Sequence, residues 1–277
     1  MSENLPDLKF INIEQLVSHE APNDIRIQRL IDQIRKEGIL RNPIIAARMP
    51  GSDKYMILDG VSRVEAFREL GYRDIVAQIV EYDNPRIKVS SFCWMIANIT
   101  AGQLLERLQH KGIELTKISR KGNLDKIPNI KDAGCIHFRN GESYSISDGS
   151  DSLRDRLIRL EYLADSFNGI FEVHIISPPA DPAKLFSRYP KGNALLILPS
   201  FNKMEITEMV GNELKLPYGI TSHQVPDRVL GISIPISIAS SDAPLEEKNA
   251  YILELFKLRL SRNQARYYPE SVFILND

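Results

Sequence analysis

The stretch YMILDGVSRVEAFRELGY, residues 55–72, holds a buried strand, a glycine turn and an amphipathic helix in one short span. The joint between strand and helix reads Asp59-Gly60-Val61-Ser62-Arg63. A helix N-terminus presents unpaired backbone N–H groups and the positive end of the helix dipole, a ready site for an anion. Gly60 lets a phosphate approach the backbone, while Ser62 and Arg63 add a hydroxyl donor and a planar charged fork. Asp59 has capping the turn as its minimum role. The GxxxxGK[ST] phosphate loop is absent, so this is not a Walker-type site. A packing turn alone would also use Asp-Gly, and the rest of the chain has to decide between them.

Upstream, a strand around Leu8 to Ile13 leads through the polar turn SHEAPN into DIRIQRLIDQIRKEG, where Ile27, Leu30, Ile31 and Ile34 recur at helical spacing and Gly38 ends the helix. NPIIAARM and YMILDG read as a strand pair around PGSD, and IVAQIVEY as the strand after the helix. This completes a compact α/β unit near Asn84. Downstream come the apolar segment IKVSSFCWMIAN, a helix opening on the Thr100 capping pattern T-x-x-Q, and a hairpin in CIHFRNGESYSI turning at Asn140-Gly141, a pair that tolerates positive φ at both central positions. Ser119 to Asp132 is the best linker. A helix follows from Ser152, then the strands FEVHIIS and NALLILP. GISIPISI alternates strictly and reads as a half-buried strand, with Pro235 marking an edge or a bulge. The helix PLEEKNAYILELFKLRLS and a short strand SVFIL close the chain.

The chain has 277 residues with 43% hydrophobic content, enough for one large domain or two ordinary ones. Lys+Arg 35 against Asp+Glu 36 leaves a net charge of -1, so there is no bulk positive field for DNA or anionic lipid. The N-terminus lacks a signal-peptide pattern and no apolar run suffices for a membrane span, which places the protein in the cytoplasm. Cys93 and Cys135 are far apart, with no metal-ligand spacing.

LDGVSRVEAFRELGY, with the upstream GILRNPIIA, resembles the ParB/sulfiredoxin-like domain, whose signature is D-G-x-x-R-x-x-A-x-x-x-L-G between a strand and a helix. Sulfiredoxins place a cysteine in this loop; here Val61 stands at that position. ParB partition proteins carry a different nucleotide motif and continue into a helix-turn-helix, whereas this chain continues into strand-rich sequence. The third branch, the free L-serine kinases, resembles this chain over most of its length. Glu20 in LVSHEAPN stands where that family has its catalytic glutamate, DGVSR matches its phosphate loop, and Trp94 in SSFCWM matches a tryptophan lining the serine site. Thr221 and His223 in KLPYGITSHQ match the family's P-x-G-[IV]-T-x-H segment, which holds the amino acid. One departure stands out: the family has His before the loop arginine, and Ser62 cannot carry charge or shuttle a proton as imidazole can.

The resemblance implies a mixed α/β protein: a ParB/sulfiredoxin-like nucleotide-binding domain over residues 1–84 and a mixed α/β substrate domain over 85–277, with the active-site cleft between them. It implies phosphoryl transfer from ADP or ATP to the L-serine hydroxyl, with Mg²⁺ bridged mainly by the nucleotide phosphates. Glu20 and Asp59 are the implied catalytic residues, Gly60, Val61, Ser62 and Arg63 the phosphate contacts, and Trp94, Thr221 and His223 the serine contacts. Taken alone, Glu20 reads as a solvated acid, Trp94 as core, His223 as a loop histidine, Arg63 as a surface partner of Glu65 or Glu69, and His19 as ordinary surface. Small-molecule partners are expected, with no membrane role; a homodimer is compatible with the sequence. The alternative is a ParB-like DNA-binding or regulatory protein switched by a nucleotide or small ligand.

Overall fold

A computed structural model describes residues 6–118, 132–147, 152–167, 172–177 and 182–264. The chain forms two compact units, one from Met1–Ser18, Pro22–Ile87 and Val225–Asp277, the other from His19–Ala21 and Lys88–Gln224. Both are therefore discontinuous, where the sequence suggests a single boundary after residue 84. Residues 225–264 join the first unit because the apolar residues Ile232, Ile234, Ile236, Ala239 and Ile252 belong to that unit's core.

The first unit begins with β1 (Asp7–Asn12), β2 (Leu16–Ser18), α1 (Asp24–Glu37), β3 (Ile39–Leu40), β4 (Ile44–Arg48), β5 (Tyr55–Asp59), α2 (Val61–Glu69) and β6 (Asp74–Val80). Its five-stranded sheet runs β1-β6-β4-β5-β2, with β4/β6 and β2/β5 parallel and the other pairs antiparallel. Asn23 caps α1 by accepting from the Arg26 N–H. Ile27, Ile31 and Ile34 then face the core at helical spacing. All of β5 before Asp59 is buried, which makes Asp59 the point where the sheet meets solvent. Gly60 is forced by geometry: its φ is 109°, and a Cβ there would lie 2.7 Å from Ile44 Cγ2 and 3.0 Å from an Arg63 nitrogen. Ile44 is fully buried and cannot give way. Gly60→Ala is thus expected to cost about 1–3 kcal/mol, the typical range for a strained backbone site; urea unfolding that shows no loss would contradict the close approach.

The second unit contains β7 (Lys88–Ser91), β8 (Cys93–Ala97), α3 (Ala101–His110), β9 (Leu115–Lys117), β10 (Asp132–Phe138), β11 (Ser143–Ser147), α4 (Leu153–Asp165), β12 (Glu172–Ile176), α5 (Pro182–Arg188), β13 (Gly192–Ile197), α6 (Lys203–Gly211) and β14 (Thr221–Gln224). Six strands form an antiparallel sheet, β12-β8-β13-β10-β11-β9, and β14 pairs antiparallel with β7. The Thr100 capping box is present, with Gln103 answering the cap. Back in the first unit the chain ends its described course with β15 (Ile234–Pro235), α7 (Ile236–Ala239) and α8 (Leu245–Ser261).

Two local readings are corrected. GISIPISI is not one strand: only Ile234–Pro235 pairs, with β3, and the backbone turns helical at Ile236. Pro235, with no N–H to give a ladder, serves as the residue before a short helix, in which the buried residues Ile236 and Ala239 are three apart, so the period of two ends at Ile236. At the β10–β11 turn Gly141 has a φ of 90° while Asn140 is not among the residues of positive φ, so the pair does not form the symmetric turn. Asn140 instead accepts from the Glu142 N–H through its side chain. The linker assigned to Ser119–Asp132 lies outside the described residues except for Asp132, which opens β10; the strand SVFIL lies outside them altogether.

Candidate active site

Asp59, at the end of β5, is the hub of the loop in the first unit. Arg63 sits one turn into α2, so its guanidinium folds back to donate from Nη2 to Asp59 Oδ2 at 3.0 Å. Its Nη1 donates to the carbonyls of Asn42, at 3.1 Å, and Pro43. These contacts leave the Arg63 side chain only 17% exposed. Its partners are therefore Asp59 and the 42–43 backbone, not Glu65 or Glu69 as a surface reading would have it; Glu65 pairs with Arg68 instead. A second arginine that sequence reasoning missed, Arg228, also donates to Asp59 Oδ2. Arg228 is more open, at 38% side-chain exposure. It is held nearby by its neighbours: Gln78 donates to the Asp227 carbonyl at 3.0 Å and accepts from the Val229 N–H at 2.9 Å. Burial pushes the Asp59 carboxyl up, but the guanidiniums of Arg63, Arg228 and Arg26 outweigh it and hold the group below its ordinary value. Three guanidiniums thus act on one carboxylate at the start of α2, next to the helix's own dipole. Ser62 is buried, at 6% exposure, and Val61 packs against the core.

The other predicted residues gather in the second unit. Glu20 forms a parallel bridge with Leu216, and backbone bonds on either side of it tie the 19–21 segment to Leu216. Its carboxylate Oε1 accepts the Thr221 N–H at 2.8 Å and the Thr221 hydroxyl. Thr221 and His223 are both buried on β14, one face of an extended segment, as the two-residue spacing requires. His19, read from sequence as surface, is instead 2% exposed. Its Nε2 lies 2.9 Å from Thr221 Oγ1, and its ring stands edge-on to His223 with centroids 5.0 Å apart. The reason is pairing: the 19–21 segment runs beside Leu216, which puts His19 under β14 instead of in solvent. Trp94 is buried in β8; its indole donates to the Gly219 carbonyl at 2.9 Å and its ring meets Phe167 edge-on. It thereby positions the turn that leads into Thr221.

Residues 5–93 match the family described as the ParB N-terminal domain. An ATP-dependent L-serine kinase of Staphylothermus marinus is 34% identical over 139 residues, 50% of this chain and 54% of that protein. The chain is thus similar in sequence to L-serine kinases. The match spans about half the length of that first kinase relative. A second kinase relative, the ATP-dependent L-serine kinase SbnI of Staphylococcus aureus, is 21% identical over 97% of this chain and 96% of its own. The fold is shared with a free serine kinase in complex with AMP, with a TM-score of 0.71 at 20% identity over 85% of this chain and 95% of that one. The mixed α/β architecture with a ParB N-terminal domain is thus established for this chain. No helix among the described residues is long and apolar enough to cross a membrane.

Proposed function

We propose that the protein phosphorylates the side-chain hydroxyl of free L-serine, with ATP or ADP as donor, giving O-phospho-L-serine. The observation that carries this reading is the Glu20 carboxylate, oriented by two donors from Thr221 in a chain whose relatives are named L-serine kinases. A serine hydroxyl is a poor nucleophile at its free pKa, so the reaction needs a positioned base. Glu20 takes the hydroxyl proton as the serine oxygen bonds to the terminal phosphorus and the bond to the leaving nucleotide breaks. In the second unit His223 and Thr221 would face the amino acid, and Trp94 would hold their segment in place. In the first unit the α2 N-terminus and Gly60 would hold phosphate, with Asp59 orienting Arg228 toward it. Arg63, committed to Asp59 and the 42–43 carbonyls, would keep the loop in shape.

Among the described residues no group of three or more His, Cys, Asp or Glu could cage a metal ion. Asp59 Oδ2 already serves two arginines. A Mg²⁺ ion would be held chiefly by the nucleotide phosphates whose charge it offsets, and Asp59 is the carboxylate that this loop contributes. When bound, it neutralises phosphate charge as the transfer proceeds. The regulatory alternative gains nothing from the second unit, which is built on a six-stranded sheet where a partition protein would need a helix-turn-helix.

Mass spectrometry of purified protein incubated with L-serine, Mg²⁺ and either ATP or ADP tests the reading. O-phosphoserine is expected, and the co-product, ADP or AMP, names the donor; its absence with both nucleotides would remove the proposal. Arg228→Ala removes a charge-assisted donor, worth about 1.5–3 kcal/mol. Nucleotide affinity by titration calorimetry should therefore fall roughly 10- to 100-fold. Unchanged affinity would mean that Arg228 serves Asp59 only.

A further inference from the structure

We infer that His19 is a positioning residue for Glu20, acting through the Thr221 hydroxyl as a neutral imidazole protonated on Nε2 or as an imidazolium. The inference rests on the reading of Glu20 as base and adds to it the chain that aims that base.

The direction of each hydrogen bond follows from counting donors. The Thr221 N–H can only donate, and it donates to Glu20 Oε1 at 2.8 Å, so Oε1 is an acceptor oxygen. The Thr221 hydroxyl also lies against Oε1 and gives it its single hydrogen. Thr221 Oγ1 then has only lone pairs left for His19 Nε2, which lies 2.9 Å away. Nε2 must carry a proton. The sequence of donors is His19 to Thr221 to Glu20, and every bond in it points toward the carboxylate.

This arrangement bears on the base in two ways. A hydroxyl that accepts from one partner donates more strongly to the next, so His19 reinforces the Thr221 bond to Oε1. His19 also fixes the hydroxyl rotor, which otherwise could turn its hydrogen away. A proton cannot pass from Thr221 to Nε2, because Nε2 is already protonated; the chain positions the base and does not drain it. The site is built for this: His19 and Thr221 are 2% and 5% exposed, and the His223 ring closes on the His19 ring at an interplanar angle of 81°. His19 Nε2 and Glu20 Oε1 are 4.0 Å apart, too far for a direct bond, so the hydroxyl is the link.

Two measurements test the inference. The first is NMR of protein labelled with ¹⁵N-histidine, without substrate, which reads which ring nitrogen of His19 is protonated. A proton on Nε2 is expected; a neutral ring protonated only on Nδ1 would reverse the chain and overturn the inference, whether or not the protein is a kinase. The second is steady-state phosphoserine formation by His19→Leu and His19→Gln. His19→Leu should lower kcat about tenfold with the KM for nucleotide within about twofold, the loss of roughly one hydrogen bond at the base. His19→Gln, whose amide N–H can stand at the position of Nε2, should recover most of it. Wild-type kcat in His19→Leu, or a glutamine variant no better than leucine, would overturn it. Should His19→Leu fail to fold, the NMR result on the unaltered chain decides. Absence of phosphoserine from the unaltered protein would remove the kinase reading and leave the protonation result standing.

Discussion

Glu20→Gln is expected to lower phosphoserine formation by about 10²- to 10⁴-fold, the usual contribution of a general base. Glutamine keeps the size of the side chain, and its carbonyl oxygen can still accept from the Thr221 N–H and hydroxyl that now meet Oε1. What it loses is the ability to take up a proton. The fold and the nucleotide KM should therefore stay close to those of the unaltered protein, because the proposed phosphate contacts at the Gly60 backbone and the Arg228 side chain involve different residues. Glu20→Ala is a less clean change, since it also leaves the buried Thr221 donors without their acceptor. A Glu20→Gln enzyme with near-normal kcat would show that Glu20 only anchors β14, and the base would have to be sought elsewhere.

Lys248→Ala is expected to destabilise the first unit by about 3–5 kcal/mol, the cost of leaving one member of a buried ion pair alone. Lys248 lies in the first turn of α8 and is 2% exposed; its ammonium donates to Asp74 Oδ2 at 2.7 Å and to the Ala239 carbonyl at 3.1 Å. It also lies 5.8 Å from the centre of the Phe10 ring. Asp74, at the start of β6, is itself 6% exposed, so truncating the lysine strands a carboxylate in the core. The loss is a large part of the 5–15 kcal/mol that stabilises a typical domain. Urea unfolding measures it directly. The double variant Lys248→Met with Asp74→Asn should recover much of the loss, because no unpaired charge then remains. A single variant costing under about 1 kcal/mol would mean that water reaches the pair.

Ser62 departs from the histidine usual in the kinase loop, and its place in the structure limits what that departure changes. It is buried in the first turn of α2, while Arg228 is a more open cation beside Asp59 at this loop. A charge absent from position 62 is thus present nearby on a residue that no loop motif contains.

What the sequence determined by itself was local. The strand-glycine-helix joint at 55–72, the Thr100 cap, the ending of α1 at Gly38 and the shared face of Thr221 and His223 all depend on neighbours within a few residues, where periodicity and backbone preference act directly. Tertiary structure decided the rest. GISIPISI holds apolar residues two apart, as a strand would, yet only Ile234–Pro235 pairs with β3, and beyond Pro235 the core takes Ile236 and Ala239 at helical spacing. Lys248 and His19 each look like surface residues in a polar stretch, and each is buried because a distant partner satisfies it: Asp74 for the lysine, Thr221 for the histidine. Arg228 reaches Asp59 across 169 residues of sequence, because the last segment of the chain returns to the core of the first unit. Local pattern fixes backbone conformation through short-range sterics and hydrogen bonds. Which polar side chains are buried, and against whom, is fixed by packing between segments far apart in the chain, and that information has no local period to read.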